Sequence, residues 1–140
     1  MLVTKECTFD AAHMLSDYDG LCANLHGHTY KVQVTIEGDT NVQTGMLVDF
    51  NQLKTVLDAV KQRFDHALIF SGAEWRNSAE TELYEWADRH GMRYTEVTGR
   101  CTSEVISLEI LSMVQDLMPE HVLSVKLWET PTSFCEGRNE

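Results

Sequence analysis

Three histidines, a cysteine and a few carboxylates carry the reactive chemistry of this sequence. In CANLHGH, residues 22–28, His26 and His28 stand two apart, a spacing that sends both imidazoles out of one face if the segment enters a β-strand. Two parallel imidazoles on a rigid element suit a metal ion; the alternative is a strand entry with solvent-facing rings. A third imidazole would make the open site of a catalytic zinc. His13 closes the stretch FDAAH and comes close to the pair if the first strand pairs with the second. Gly27 reads as a place where the backbone can approach the ion and its substrate. Cys22 as a fourth ligand would give a closed His3Cys structural site with no position left for substrate. A cupin opening also fits, with Gly20, five residues and then H-x-H, but Val32 and Gln33 stand where that pattern needs a glutamate.

These side chains need elements to hold them. Leu2 to Ala12 alternates imperfectly, with Val3, Lys5, Cys7 and Phe9 on one face, and reads as a first strand. HTYKVQVTIEGD alternates cleanly, Tyr30, Val32, Val34 and Ile36 pointing one way, and ends at Gly38. The connection between them is polar and too long for a tight hairpin. Asp49 can cap a helix over FNQLKTVLDAVKQRF, whose apolar residues Phe50, Leu53, Val56, Leu57, Val60 and Phe64 recur at helical spacing. A shorter surface helix covers SAETELYEWADRH and stops at Gly91. A third helix starts near Thr102 and ends at Pro119, with Val105, Leu108, Leu111, Met113, Val114 and Leu117 mostly inward. HVLSVKLWET is a strand, and a short last one follows Pro131. Two strands, helices, then one or two strands suggest an α+β fold, an antiparallel sheet with helices packed on one face.

The chain of 140 residues, 43% hydrophobic, has the length of a single domain spanning 1–140. Its net charge of -11 would repel a phosphate backbone, so neither nucleic acid nor an anionic membrane is expected as a partner. The amino terminus lacks a signal-peptide core and no apolar run could span a bilayer, which predicts a cytoplasmic protein. Cysteines at 7, 22, 101 and 135 are too few and scattered for a disulfide framework.

FDAAH, C-x-x-x-HGH with a following Tyr30, GMLVDF, FDHALI, TSE at a helix start and WETPTS near the end form an ordered set. That set resembles the 6-pyruvoyl-tetrahydropterin synthase family over residues 2 to about 137. Within the family the C-x-x-x-HGH gap is typical of the type that forms 6-carboxy-5,6,7,8-tetrahydropterin; the pyruvoyl-forming type usually has a longer one. The resemblance implies the tunnelling fold (T-fold), a four-stranded antiparallel sheet per subunit. Trimers of it close a barrel and pair as a homo-oligomeric hexamer with active sites between subunits.

It also implies roles. His13, His26 and His28 would hold zinc, with the fourth position left for side-chain oxygens of 7,8-dihydroneopterin triphosphate. Cys22 would be the general base, its thiolate favoured near a cation. Asp65 would orient His66 as a proton relay; the blander reading is a helix-terminal histidine on the macrodipole. Glu129 would anchor the guanidine-like edge of the pterin and join the relay, whereas alone it is a strand glutamate. Thr102 and Glu104 would contact substrate or cap the third helix. The implied reaction yields 6-carboxytetrahydropterin, acetaldehyde and triphosphate in queuosine biosynthesis without nicotinamide or flavin, in keeping with the lack of a G-x-G-x-x-G motif. The rivals are a pyruvoyl-forming enzyme and a non-catalytic zinc or pterin-binding module. Lys5, Lys31, Arg100, Lys126 and Arg138 are the candidates for offsetting the repulsion between a triphosphate and an acidic chain. The chain departs from the family in two places: Arg100-Cys101 replaces the usual Asn-Pro, and the long segment 71–98 reads as peripheral.

Overall fold

A computed structural model describes residues 1–139. Strands β1 (Leu2–His13) and β2 (His26–Glu37) pair antiparallel along their whole length, from Leu2 opposite Glu37 to His13 opposite His26. Strict alternation on β2 puts Tyr30, Val32, Val34 and Ile36 fully inside, and Phe9 and Ala11 join them from β1. Helix α1 (Phe50–Phe64) packs on that face. Its start is fixed by a capping box in which the Asp49 carboxylate accepts from the first turn and the Gln52 side chain reaches back to the Asp49 N–H. Phe9 stacks on Tyr30 and on Phe64 at centroid distances of 5.0 and 5.6 Å, which ties β1, β2 and α1 into one core. Each such aromatic pair adds roughly 0.5–1.5 kcal/mol beyond the area it buries.

The remaining elements are β3 (Ala67–Phe70), α2 (Ser78–Arg89), β4 (Tyr94–Glu96), α3 (Ser103–Leu117), β5 (Val122–Thr130) and β6 (Ser133–Arg138). The expected four-stranded antiparallel sheet is instead a six-stranded mixed sheet in the order β4-β3-β1-β2-β5-β6. Its central strands are antiparallel, while β3 runs parallel to β1 and β4 parallel to β3. The cause is local: chain that leaves β3 through α2 returns along the same direction, the geometry of a helical crossover. The T-fold class stands, with α1 and α3 packed against the sheet.

Two expectations are corrected. Segment 71–98 is not peripheral, because it supplies β4 at the sheet edge and buries Glu80 completely. On α3 the inward face is Ile106, Ser107, Ile110, Leu111 and Val114, whereas Leu108 and Leu117 are exposed. That helix is apolar nearly all round, so its sequence does not single out one face. No helix among the described residues is long and apolar enough to cross a membrane.

Candidate metal centre and its surroundings

The register of β1 on β2 places His13 opposite His26 and Ala11 opposite His28. Residues two apart on one strand, and directly opposed residues across two, share a face. All three imidazoles therefore leave the core side of the sheet at one end. Their ligating nitrogens lie within 4.8 Å of one another, and the Nε2 atoms of all three are buried without a hydrogen-bond partner. Buried polar atoms are rarely left so.

The other ring nitrogens explain the aim. His13 donates from Nδ1 to the Cys101 carbonyl and His26 donates from Nδ1 to the Asn24 carbonyl, each at 2.7 Å, which leaves Nε2 as the free lone pair in both. Burial lowers the pKa of His13 and of His28, so both stay in the neutral form that ligates. Glu129 Oε1 stands 3.3 Å from His28 Nε2, a proximity that opposes this shift. The contact lacks hydrogen-bond alignment, and burial outweighs it. Three imidazoles converging on one point through buried nitrogens that lack a hydrogen-bond partner fit a divalent transition-metal ion.

Gly27 also serves the strand pairing itself. It faces away from the imidazole cluster, and a Cβ there would sit 3.1 Å from the Ala11 carbonyl oxygen. The missing side chain therefore lets β1 and β2 approach each other.

Cys22 lies in a short 3-10 turn, Leu21–Ala23, and its carbonyl accepts from the Leu15 N–H at 2.9 Å. This bond fastens the Cys22 turn to the chain two residues beyond His13. Its sulfur does not join the three imidazole nitrogens as a ligand, so the closed His3Cys arrangement is not formed here. Asp65 ends α1 and His66 follows with φ of 58°, a left-handed turn uncommon for a residue with a side chain. The His66 N–H donates to the Asp10 carbonyl at 2.6 Å and the Asp10 N–H donates to Asp65 Oδ1 at 3.0 Å. Asp65 Oδ2 and His66 Nδ1 are 3.2 Å apart. The pair thus forms between neighbours, with the His66 ring largely in solvent. It borders an open cavity of about 500 Å³ lined by Asp10, Ala12, Gly27, His28, Thr29 and His66.

Glu129 projects from β5 on the same side as buried Leu127, beside His28. Thr102 is the N-cap of α3, accepting from the Val105 N–H at 3.3 Å. Glu104 is exposed in the first turn, where its charge favours the helix start. Two features escaped the sequence reading. Tyr30 directs a buried, unpartnered hydroxyl among these groups, and burial raises its pKa well above the usual phenol value. The carbonyl that fixes His13 belongs to Cys101, a position noticed only as a departure; no local spacing links 13 to 101.

The sequence model described as 6-pyruvoyl tetrahydropterin synthase matches residues 2–140. A Haemophilus influenzae protein named 6-carboxy-5,6,7,8-tetrahydropterin synthase is 38% identical over 138 residues, covering 96% of each chain. The Rickettsia bellii protein of the same name is 30% identical over 139 residues, covering 95% of this chain and 96% of its own. Among solved structures, the Plasmodium falciparum 6-pyruvoyl tetrahydropterin synthase aligns with a TM-score of 0.76 at 19% identity, covering 99% of this chain and 97% of its own. The Caenorhabditis elegans enzyme aligns at 0.72 and 22% identity, over 100% and 96%.

Proposed function

From the premise that this chain belongs to the 6-pyruvoyl tetrahydropterin synthase family, we propose that it is a zinc-dependent 6-carboxy-5,6,7,8-tetrahydropterin synthase acting in queuosine biosynthesis. Its substrate is 7,8-dihydroneopterin triphosphate, and its products are 6-carboxytetrahydropterin, acetaldehyde and triphosphate. The observation that carries the reading is the convergence of three unpartnered Nε2 atoms, in a chain that aligns almost end to end with relatives named for that product.

His13, His26 and His28 are the residues that would hold zinc. Bound there, the ion would polarise the hydroxyl and carbonyl oxygens of the substrate side chain and acidify the adjacent C–H groups. Cys22 is the base that removes those protons, supported by its loop being fastened beside the histidines. Asp65 holds the His66 ring, and His66 passes protons to and from the side chain. Glu129 accepts two hydrogen bonds from the amino and ring N–H groups of the pterin, which fixes the ring next to the metal-facing imidazoles. Thr102 and Glu104 serve chiefly the start of α3, with substrate contact secondary.

The active unit is a ring of copies, paired as a hexamer. In support, β3 pairs with β1 only at Ala11 and Ala12, so among the described residues β1 from Leu2 to Phe9 has an open edge, and β6 and the short β4 are the terminal strands of the sheet. Open edges of this length invite pairing with a further chain. The test is to incubate zinc-loaded protein with 7,8-dihydroneopterin triphosphate and identify the products by mass spectrometry. Acetaldehyde and 6-carboxytetrahydropterin are expected. A product that keeps its three-carbon side chain would make the protein a pyruvoyl-forming enzyme, and no turnover would make it a binding module.

A further inference from the structure

We infer that Glu80, acting through Ser71 and Cys101, is a positioning residue for the metal ligand His13, an inference that rests on the zinc site proposed above. Glu80 lies in the first turn of α2, in the segment expected to be peripheral, and is fully buried. Its Oε2 accepts from the Ser71 N–H at 2.7 Å. The Ser71 hydroxyl accepts from the Cys101 N–H at 3.0 Å, and the Cys101 carbonyl accepts from His13 Nδ1 at 2.7 Å. Four residues from four parts of the chain thus form one hydrogen-bonded line ending at the imidazole.

The second carboxylate oxygen holds the chain three residues beyond His13. Glu80 Oε1 accepts from the Ser16 hydroxyl at 2.6 Å, and that same Oγ accepts from the Asn77 N–H at 3.0 Å. Arg100 donates to the Ser16 carbonyl at 2.8 Å, while the Cys101 thiol meets the Ser71 hydroxyl at 3.3 Å and the Met14 carbonyl at 3.2 Å. The Cys101 N–H and C=O lie in successive peptide groups joined at one Cα, so the Ser71 bond anchors the residue from which the carbonyl projects, and that carbonyl sets the plane of the ring it receives. His26 needs no such support, because its carbonyl partner, Asn24, is two residues away on the same loop.

Position 101 carries the point further. The cysteine there supplies the N–H that Ser71 accepts, a donor that a proline at this position would lack. Burying a carboxylate is a costly way merely to fasten a helix. Two short bonds, one to Ser16 just after His13 and one to the Ser71 that holds Cys101, are a use that an apolar residue could not replace.

The experiment measures zinc affinity of the full-length, metal-stripped protein by competition with a chromophoric chelator, with thermal unfolding of each metal-free variant alongside. Loss of an outer-shell partner typically costs about 10–100-fold in metal affinity, and Glu80→Ala and Ser71→Ala are expected near the lower figure, about tenfold. Glu80→Gln should largely restore binding, since its amide oxygen can accept from Ser71 and its amide nitrogen donate to Ser16. Unchanged affinity in Glu80→Ala and Ser71→Ala, even with lowered thermal stability, would make Glu80 a fold staple and overturn the inference. If Glu80→Ala does not fold, Ser71→Ala decides alone, because it keeps the backbone N–H bonded to Glu80. A parent protein that binds no zinc overturns the metal site itself; normal zinc binding by the parent with unaffected variants overturns only the role of Glu80.

Discussion

The three histidines and the Asp65–His66 pair are neighbours in the sheet, since Ala11 pairs with both His28 and Ala67, yet they are held in opposite ways. His13 is 2% exposed and its ring is fixed by a carbonyl from a distant part of the chain, whereas the His66 side chain is 77% exposed and pairs with the adjacent Asp65. Cys22 resembles His66 more than it resembles the histidines: its backbone is fastened, but its sulfur has no hydrogen-bond partner among the described residues. The difference separates two tasks. Ligands must be aimed before an ion arrives, because reorganising them would subtract from its binding. On the proposed reading, groups that move protons must meet a substrate that comes and goes, and the exposed His66 ring and the unpartnered Cys22 sulfur suit that task.

Removing a ligand should break the first half of this contrast most severely. His26→Ala is expected to lose zinc on dialysis and all measurable turnover, while circular dichroism and the unfolding temperature of the metal-free protein stay near the parent's, as the ring has no protein partner at Nε2. Metal retained at parental stoichiometry would remove the triad from the mechanism.

Cys22→Ala probes the other half. It should keep its zinc and lose about 10²–10⁴-fold in kcat, the usual range for a positioned acid or base. Zinc loss together with unfolding would restore the closed four-ligand site. His66→Ala should behave in the same way. If Cys22 and His66 act on one substrate from different copies, mixing the two inactive variants after partial dissociation should recover a fraction of the activity. No recovery in demonstrably mixed oligomers would confine each site to one chain.

The smallest effect concerns Asp65. The Asp10 N–H first, and His66 second, hold its carboxyl below the usual carboxylate range. A carboxylate whose folded-state pKa is depressed adds stability that is complete above the unfolded value near 4 and disappears as pH falls through the folded value. Asp65→Asn should therefore flatten the acid limb of the stability curve below pH 4, with little change in zinc affinity. An unaltered acid limb, measured by thermal unfolding between pH 3 and 6, would show that the Asp10 contact contributes nothing there.

Much of the frame was legible in the sequence because it depends on local rules. The alternation on β2 needs only a two-residue period, and α1 announces itself through Asp49, Gln52 and its apolar stripe. The faces of α3 were misread at Leu108 and Leu117 for want of such a contrast. Leu108 instead packs near Gly137 on β6, a partner nearly thirty residues on, where a Cβ would lie 3.5 Å from its Cδ2. The parallel edge formed by β3 and β4 was also missed, since short strands next to a helix carry too little pattern.

For the site, the sequence by itself determined that His26 and His28 share a face, because side chains two apart on a strand must do so. It also placed a cysteine one turn ahead of them and an Asp-His pair at a helix end. Only the tertiary structure decided that His13 stands opposite His26, that a carbonyl at position 101 aims its ring, and that a glutamate from α2 reaches that carbonyl through Ser71. Those are pairings between residues tens of positions apart. They form because burying the apolar faces of β1, β2 and the helices fixes one register, and a slip of a single residue between β1 and β2 would leave His13 on the opposite face from His26 and His28.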